Sequence, residues 1–525
     1  MSEVQSERHP PLNIEELLRA DAFPHPVSQL RLVETHISWV VLTGSFAYKI
    51  KKPVKLGFID TSTLELRQHY CNEEVRLNRR LAPELYLDVV PITREHSRVR
   101  AGGQGDVIEY AVRMKQFPTG NELDALLDRG DVSLQEIEQL AELLGQFHQQ
   151  IPSPTPSQDL THTRSMFENV LGNLEQLSAH APDMLDVALL RQLRDWTRAS
   201  LDAQRPAFEK RERTGHIRDC HGDLHAANIV RIDGRLVPFD CIDFDPRLRH
   251  IDVMNDLAFL VMDLRSRDRQ DLATALLNRY LEVTGDYEGV QLLPFYAVYR
   301  ALVRAKVDAI AANQSPERVS QLTERFQRRI RTALQLMNEP SPTLLLMHGP
   351  SGSGKSWLSE QLVPRVPALR IRSDLERRRL LGEARDGEDK GFKTGRYAPE
   401  MSRRIYSRMV ECADSCLQGG CNVIIDAAFL NESDRELFES LASRAGVNCA
   451  FISCHADEAT LLERVSARAA QGRDVSEADR DVVTAQLRTF EPLQSRPDRR
   501  VIHADTRDPD VTRTVVAAIE AMTAA

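Results

Sequence analysis

The sequence predicts an α+β N-terminal domain of two lobes followed by an α/β domain built on a parallel sheet. Three observations carry that expectation. A hairpin pattern ending in lysines, over residues 38–52, lies upstream of the loop His221-Gly222-Asp223-Leu224-His225-Ala226-Ala227-Asn228. A proline-rich break, Asn338-Glu339-Pro340-Ser341-Pro342, interrupts the helical pattern. Beyond it, apolar runs alternate with helical segments, and the first run leads into a glycine-rich loop. At 525 residues the chain exceeds one ordinary core. The division expected is residues 1–338, a linker at 339–342, and residues 343–525.

An apolar fraction of 42% and a charged fraction of 28% are those of a globular chain, not a disordered one. The net charge of −9 argues against nonspecific nucleic-acid binding by the whole surface. Residues 1–11 are polar, and no apolar run approaches the roughly eighteen residues of a membrane span, so a cytoplasmic protein is expected. The eight cysteines form no C-x-x-C pair and so show no zinc spacing. Cys412 and Cys416, one helical turn apart, read as buried thiols.

Taken in order, Asn13 is placed to cap residues 14–18. Strand patterns follow at 38–42 and 46–52 around the turn Thr43-Gly44-Ser45, and a helix at 64–81. Residues 107–117 alternate as a half-buried strand and lead into Pro118-Thr119-Gly120, where a hinge between lobes is expected. Ser133-Leu134-Gln135-Glu136 is a capping box, and the helix it starts carries Ile137, Leu140, Leu144 and Phe147 at helical spacing. A Pro/Ser-rich loop at 151–158 precedes helical sequence to about 212. Helices are expected again at 257–264, 292–310 and 315–337. After the break, strands are expected at 343–348, 368–372, 421–425 and 449–453, with a helix at 401–418.

The loop at 221–228 brings together residue types that phosphoryl transfer needs. A carboxylate, Asp223, can accept or orient the proton of an attacking hydroxyl. Five residues on, the Asn228 amide oxygen can ligate magnesium, and a later carboxylate at a strand end can bridge the metal to phosphates. Two residues compete for that last role. Spacing from Asn228 favours Asp240, at the end of Leu236-Val237-Pro238-Phe239. The context Ile242-Asp243-Phe244, and its distance to Asp256, favours Asp243. Both are kept, with Asp243 placed first. A strand lysine would hold the nucleotide phosphates: Lys49 first, Lys51 second, the two sharing a face. Glu74 on the following helix is the residue to pair with it.

On these residues, roughly 30–335 resemble the aminoglycoside phosphotransferase family within the protein-kinase-like superfold. The resemblance implies nucleotide-dependent transfer to a small-molecule hydroxyl, with Asp223 as base, Asn228 on magnesium, and His221 and His225 shaping the loop. It does not extend to antibiotics, because no stretch reads as an acidic pocket for a polycation.

Gly349-Pro350-Ser351-Gly352-Ser353-Gly354-Lys355-Ser356 fits the P-loop pattern and follows a strand. Backbone N–H groups of such a loop and the following helix N-terminus cradle phosphates. Lys355 would reach the β- and γ-phosphates, and Ser356 would ligate magnesium. Val423-Ile424-Ile425-Asp426 reads as the strand whose aspartate faces the metal. Asp374, after the second strand, is the candidate for binding or deprotonating an acceptor hydroxyl. Arg464, Arg468 and Arg473 have the layout of a lid, with Arg468 and Arg473 the stronger candidates for neutralising charge in transfer. Residues 343–520 resemble small P-loop kinases, relatives of gluconate kinase, zeta toxin and polynucleotide kinase.

The expected protein is a bifunctional phosphotransferase using ATP and Mg²⁺ at two sites, each with a small hydroxylated metabolite as acceptor. Two further readings are a regulatory protein in which one module senses ATP, and a polynucleotide-end kinase. The acidic composition, and the absence of a stretch interleaving aromatic and basic residues, weigh against nucleic acid.

Overall fold

A computed structural model describes residues 12–56, 59–152, 160–181, 184–381, 399–471, 480–494, 496–497 and 499–523. Its contacts divide the chain into two compact units. One comprises Met1–Leu143, Phe147–Gln158 and Glu212–Leu260; the other comprises Leu144–Gln146, Asp159–Arg211 and Val261–Ala525. Among the described residues no helix is long and apolar enough to cross a membrane.

In the first unit, alternation along the strands builds a six-stranded antiparallel sheet. Its order is Arg31–Glu34, Ser38–Leu42, Phe46–Lys51, Asp106–Lys115, Tyr86–Glu95, Arg98–Ala101. Each strand points alternate residues to opposite faces, so the sheet carries two cores. One packs Val41, Tyr48, Ile50 and Ile92 against Leu17 and Phe23 of the N-terminal turns. The other packs Ala47, Val112 and Met114 against Cys71 and Val75 of the helix Leu64–Asn78. Thr63 caps that helix through the Leu66 N–H, and Asn13 caps the short Ile14–Leu17 turn within a complete capping box. Ser133 does the same for the helix Leu134–Gln150.

Below the sheet, Ile217–Asp219 pairs antiparallel with His250–Asp252, and Ile229–Ile232 pairs with Arg235–Pro238. The helix Val253–Arg265 follows directly.

The second unit holds a five-stranded, wholly parallel sheet. Its order is Ala368–Arg372, Asn422–Asp426, Thr343–His348, Asn448–His455, Arg500–Asp505. The first strand in sequence lies at the centre and is buried at every residue, as expected of a strand covered on both faces. The order reverses on either side of it, so its C-terminal end opens at the switch point where such sheets bind ligands. The helices Lys355–Leu362 and Val511–Thr523 contribute Leu358, Leu362, Val515 and Ile519 to one face. Cys412 and Cys416 are buried on the helix Pro399–Gln418.

The proline-rich break separates the helix Val319–Met337 from the strand Thr343–His348, so secondary structure changes there. Packing divides elsewhere, because the unit holding the parallel sheet starts its last segment at Val261. A break in chain direction is a local property. A boundary of compactness depends on which helices bury their faces together.

Candidate active sites

The first site begins with the two lysines. Lys49 and Lys51 alternate along Phe46–Lys51 and therefore share a face. Glu74 lies against both: Oε1 is 2.7 Å from Lys49 Nζ and Oε2 is 2.8 Å from Lys51 Nζ. Beyond it, Lys49 meets Asp240 Oδ1 at 2.5 Å, and Lys51 meets Asp243 Oδ2 at 2.5 Å. Burial opposes the charge on Lys49, but Asp240 and Glu74 outweigh it and hold the ammonium well above the usual lysine range. Glu74 is buried too, yet the flanking lysines lower it to about 2. Burial raises Asp243, with Lys51 offsetting only part of the effect.

The two competing aspartates occupy different environments. Asp243 is enclosed, its side chain 7% exposed and turned to Lys51. Asp240 is 46% exposed. Its backbone is left-handed at φ 61°, a conformation that non-glycine residues adopt chiefly where the surroundings enforce it. The enforcing contacts are visible: the Asp240 N–H donates to the Tyr86 hydroxyl at 3.1 Å, and the Cys241 N–H to Asn78 Oδ1 at 2.8 Å. Sequence context placed Asp243 first. The structure leaves the Asp240 carboxylate as the more accessible one, and neither Tyr86 nor Asn78 announced its part through any motif.

Asp223 and Asn228 come together as their spacing suggested. Asn228 Nδ2 donates to Asp223 Oδ2 at 2.9 Å and to the Asp223 carbonyl at 3.0 Å. His225 Nε2 lies 3.3 Å from the same carboxylate. His221 Nε2 donates to the Phe239 carbonyl at 2.9 Å, which leaves Nδ1 to accept the Asp223 N–H at 3.3 Å. Burial lowers the His221 pKa and favours this neutral form. The Phe239 N–H also donates to the Asn228 carbonyl at 2.9 Å, so the loop and the segment leading to Asp240 are tied in register.

Asp256 holds the loop from beneath. It accepts the N–H groups of His221 at 3.0 Å and Gly222 at 2.9 Å, and faces His148 Nε2 at 3.2 Å. Burial would raise Asp256, but His148 and the loop bonds bring it below the ordinary carboxylate range. Gly222 takes φ 86°, where a Cβ would come within 2.9 Å of the Leu248 carbonyl.

A stability prediction separates the lysines. Lys51→Met strips Glu74 and Asp243 of a buried partner and is expected to destabilise the chain by about 3–5 kcal/mol. Lys49→Met takes one partner from Glu74, which keeps Lys51, and uncovers only the half-exposed Asp240, so it should cost less. Urea unfolding of both variants decides; equal losses would contradict the difference in burial.

The second site lies at the end of the central strand of the parallel sheet. At Gly352 φ is 83°, and a Cβ would stand 2.6 Å from the Leu461 carbonyl, so the loop closes only with glycine there. Lys355 Nζ donates to the Pro350 carbonyl at 2.8 Å, and the Ser351 N–H donates to Gln486 Oε1 at 2.8 Å. Gly349, Ser353 and Gly354 complete the turn into Lys355–Leu362, and Ser353 Oγ is buried without a hydrogen-bond partner. Ser356 Oγ donates to Asp426 Oδ1 at 3.2 Å, and Ser359 Oγ to Oδ2 at 3.3 Å. Strand register places Asp426 beside Met347, one residue before the end of the central strand.

Asp374 stands in the first turn of Ser373–Leu381, paired with Arg377 at 2.6 Å. Arg468 lies on Glu458–Gln471, and Arg473 falls outside the described residues. Among the described residues, Arg464 reaches the loop with its side chain. It donates to the Gly352 carbonyl at 3.4 Å and to Thr506 Oγ1 at 2.8 Å. Thr506 follows Arg500–Asp505, an edge strand whose mixed burial gave no apolar run to read.

The residues present fit a nucleotide and a divalent cation at both places. Asn228 and Asp240 in the first, and Ser356 and Asp426 in the second, are hard oxygen donors of the kind magnesium takes. The lysines and the glycine-closed loop supply cations and N–H groups for phosphate oxygens.

The phosphotransferase enzyme family profile matches residues 67–293, and an AAA domain profile matches residues 344–493. The uncharacterized protein Rv2004c of Mycobacterium tuberculosis H37Rv is 30% identical over 461 residues, spanning 86% of this chain and 89% of its own. A choline/ethanolamine kinase family protein from Mesorhizobium loti is 14% identical with a TM-score of 0.37, covering 60% of this chain and 89% of that one. A gluconokinase from Sinorhizobium meliloti 1021 is 20% identical with a TM-score of 0.25, covering 35% of this chain and 94% of that one.

Proposed function

Since this chain belongs to the family of the mycobacterial protein Rv2004c and is a kinase with two kinase-type domains, we propose that both domains transfer phosphoryl groups from ATP to small hydroxylated molecules. The observation that carries the proposal is that each unit assembles a full set of groups by itself. One pairs Asp223 with Asn228 and Asp240 with Lys49; the other pairs Ser356 with Asp426 and folds Lys355 over its loop.

In the first site Asp223 is the base. It is oriented by Asn228 and 35% exposed, so an acceptor hydroxyl can reach it and lose its proton there. Lys49, fixed by Glu74, holds the phosphates in place. Asn228 and Asp240 would hold magnesium, and the enclosed Asp243 instead neutralises Lys51. In the second site the loop N–H groups and Lys355 bind phosphate, while Ser356 and Asp426 would hold the cation. Asp374 takes the acceptor hydroxyl, Arg464 supplies positive charge at the loop, and Arg468 and Arg473 are assigned to neutralise charge during transfer. Magnesium, when bound, would supply positive charge that offsets the charge of the phosphates.

Calorimetry with a nonhydrolysable ATP analogue and Mg²⁺ tests the proposal. Two equivalents per chain are expected, one of them lost in Lys355→Ala. A single equivalent in the parent chain would refute the two-site reading.

A further inference from the structure

The strand Ala368–Arg372 is one of the two outer strands of the parallel sheet, and its free edge is covered by a side chain. Asn278, on the helix Gln270–Thr284, donates from Nδ2 to the Ala368 carbonyl at 2.9 Å and accepts the Arg370 N–H on Oδ1 at 2.7 Å. Its amide thus occupies two positions that a further strand would fill. One helical turn on, Glu282 is the shared carboxylate of three guanidinium groups: Arg279 at 3.4 Å, Arg370 at 3.5 Å and Arg372 at 3.5 Å. The helix end is fixed as well, by Arg379 on the Leu281 carbonyl at 3.0 Å and Arg408 on the Gly285 carbonyl at 3.3 Å.

Arg370 carries this anchoring inward. Its Nη1 donates to the Ser356 carbonyl and to Ser359 Oγ, each at 3.3 Å. Ser359 Oγ also lies 3.0 Å from the Ser356 carbonyl and 3.3 Å from Asp426 Oδ2, the carboxylate that accepts from Ser356 Oγ, so Arg370 joins the cluster that holds this oxygen pair. Both ends of the relay are shielded from water, with Glu282 13% and Arg370 11% exposed. The helix lies within the stretch matched by the phosphotransferase enzyme family.

We propose that Asn278 and Glu282, contributed by the phosphotransferase region, are positioning residues of the P-loop site: they fix the edge strand and, through Arg370, the Ser356–Asp426 oxygen pair. This rests on the reading of that pair as a cation site. Glu282 acts by holding Arg370 and Arg372 together. Without its charge the two guanidiniums, two residues apart on one face of the strand, repel, and Arg370 leaves Ser359.

The test is Mn²⁺ binding in the presence of ADP, followed by electron paramagnetic resonance on the full-length chain. Lys355→Ala identifies which bound Mn²⁺ belongs to the P-loop. Glu282→Gln is expected to weaken that ion by about tenfold or more, as loss of a group that orients a metal ligand commonly does. The other ion stays as it was, Glu282→Asp restores most of the affinity, and Asn278→Ala shifts it in the same direction. Affinity in Glu282→Gln within about twofold of the parent, against that expected loss, overturns the proposal and leaves the P-loop reading standing. Equal weakening of both ions overturns it too, as a general loss of folding. If Lys355→Ala removes no ion, both readings fall.

Discussion

Asp223→Asn is expected to lower phosphorylation of the first site's acceptor by about 10²–10⁴-fold, the usual contribution of a general base. The amide keeps the size of the side chain and can still accept from Asn228, which now donates to Asp223 Oδ2 at 2.9 Å. The loop should keep its shape, because its anchors are elsewhere. Asp256 holds the His221 and Gly222 N–H groups, and His221 is fixed on the Phe239 carbonyl. Neither neighbouring histidine is set to replace the lost base. His221 is buried, neutral and already bonded through both ring nitrogens. His225 is itself nearly buried behind the carboxylate. Product formation measured in a Lys355→Ala background, which silences the second site, reads the effect cleanly. An undiminished rate with unchanged nucleotide affinity would remove Asp223 from the chemistry.

What the sequence made legible was local. The cap at Asn13 and the capping box at Ser133 specify their helix starts within four residues; both form, and at Asn13 the structure adds the Glu16 half of a box that was not read. The alternation over 107–117 and the run at 343–348 correspond to Asp106–Lys115 and Thr343–His348, since burial on one or both faces writes itself into period and composition. The strand Tyr86–Glu95 left no such trace. Pro91 interrupts it, and two register shifts against Asp106–Lys115 break the alternation that would have marked it. The helix Gln270–Thr284 and the edge strand Arg500–Asp505 were also missed, the strand for lack of a continuous apolar run.

The ordering of Asp240 and Asp243 illustrates a different limit. Both are aspartates near one strand end, and spacing admits either. What separates them is that Lys51 encloses one and Tyr86 turns the other outward, and both partners come from strands far away in sequence. The same holds for Glu282 and Arg370, whose meeting depends on a helix packing beside a sheet edge. Motifs record groups that one loop can bring together. Contacts between elements are set by burial, which acts after the local choices are made.

Lys355→Ala is expected to lower transfer at the P-loop by about 10²–10³-fold, the scale on which one preorganised charge-stabilising donor acts. The ammonium donates to the Pro350 carbonyl at 2.8 Å, so it lies folded over its own loop. The fold should survive its removal. The loop itself is secured by Gln486 on the Ser351 N–H and by Arg464, which spans Gly352 and Thr506. Arg464 cannot substitute for the lost charge without giving up both of those contacts. The first site belongs to the other compact unit, with its own lysine and carboxylates, so its rate should not move. Combining Lys355→Ala with Asp223→Asn then gives the decisive measurement of ATP turnover. Two independent sites predict that each single variant removes its own product and that the double variant removes both, the rates lost in the two singles summing to the rate of the parent. A double variant no worse than one of the singles would mean that a single site performs the chemistry and that the other only binds.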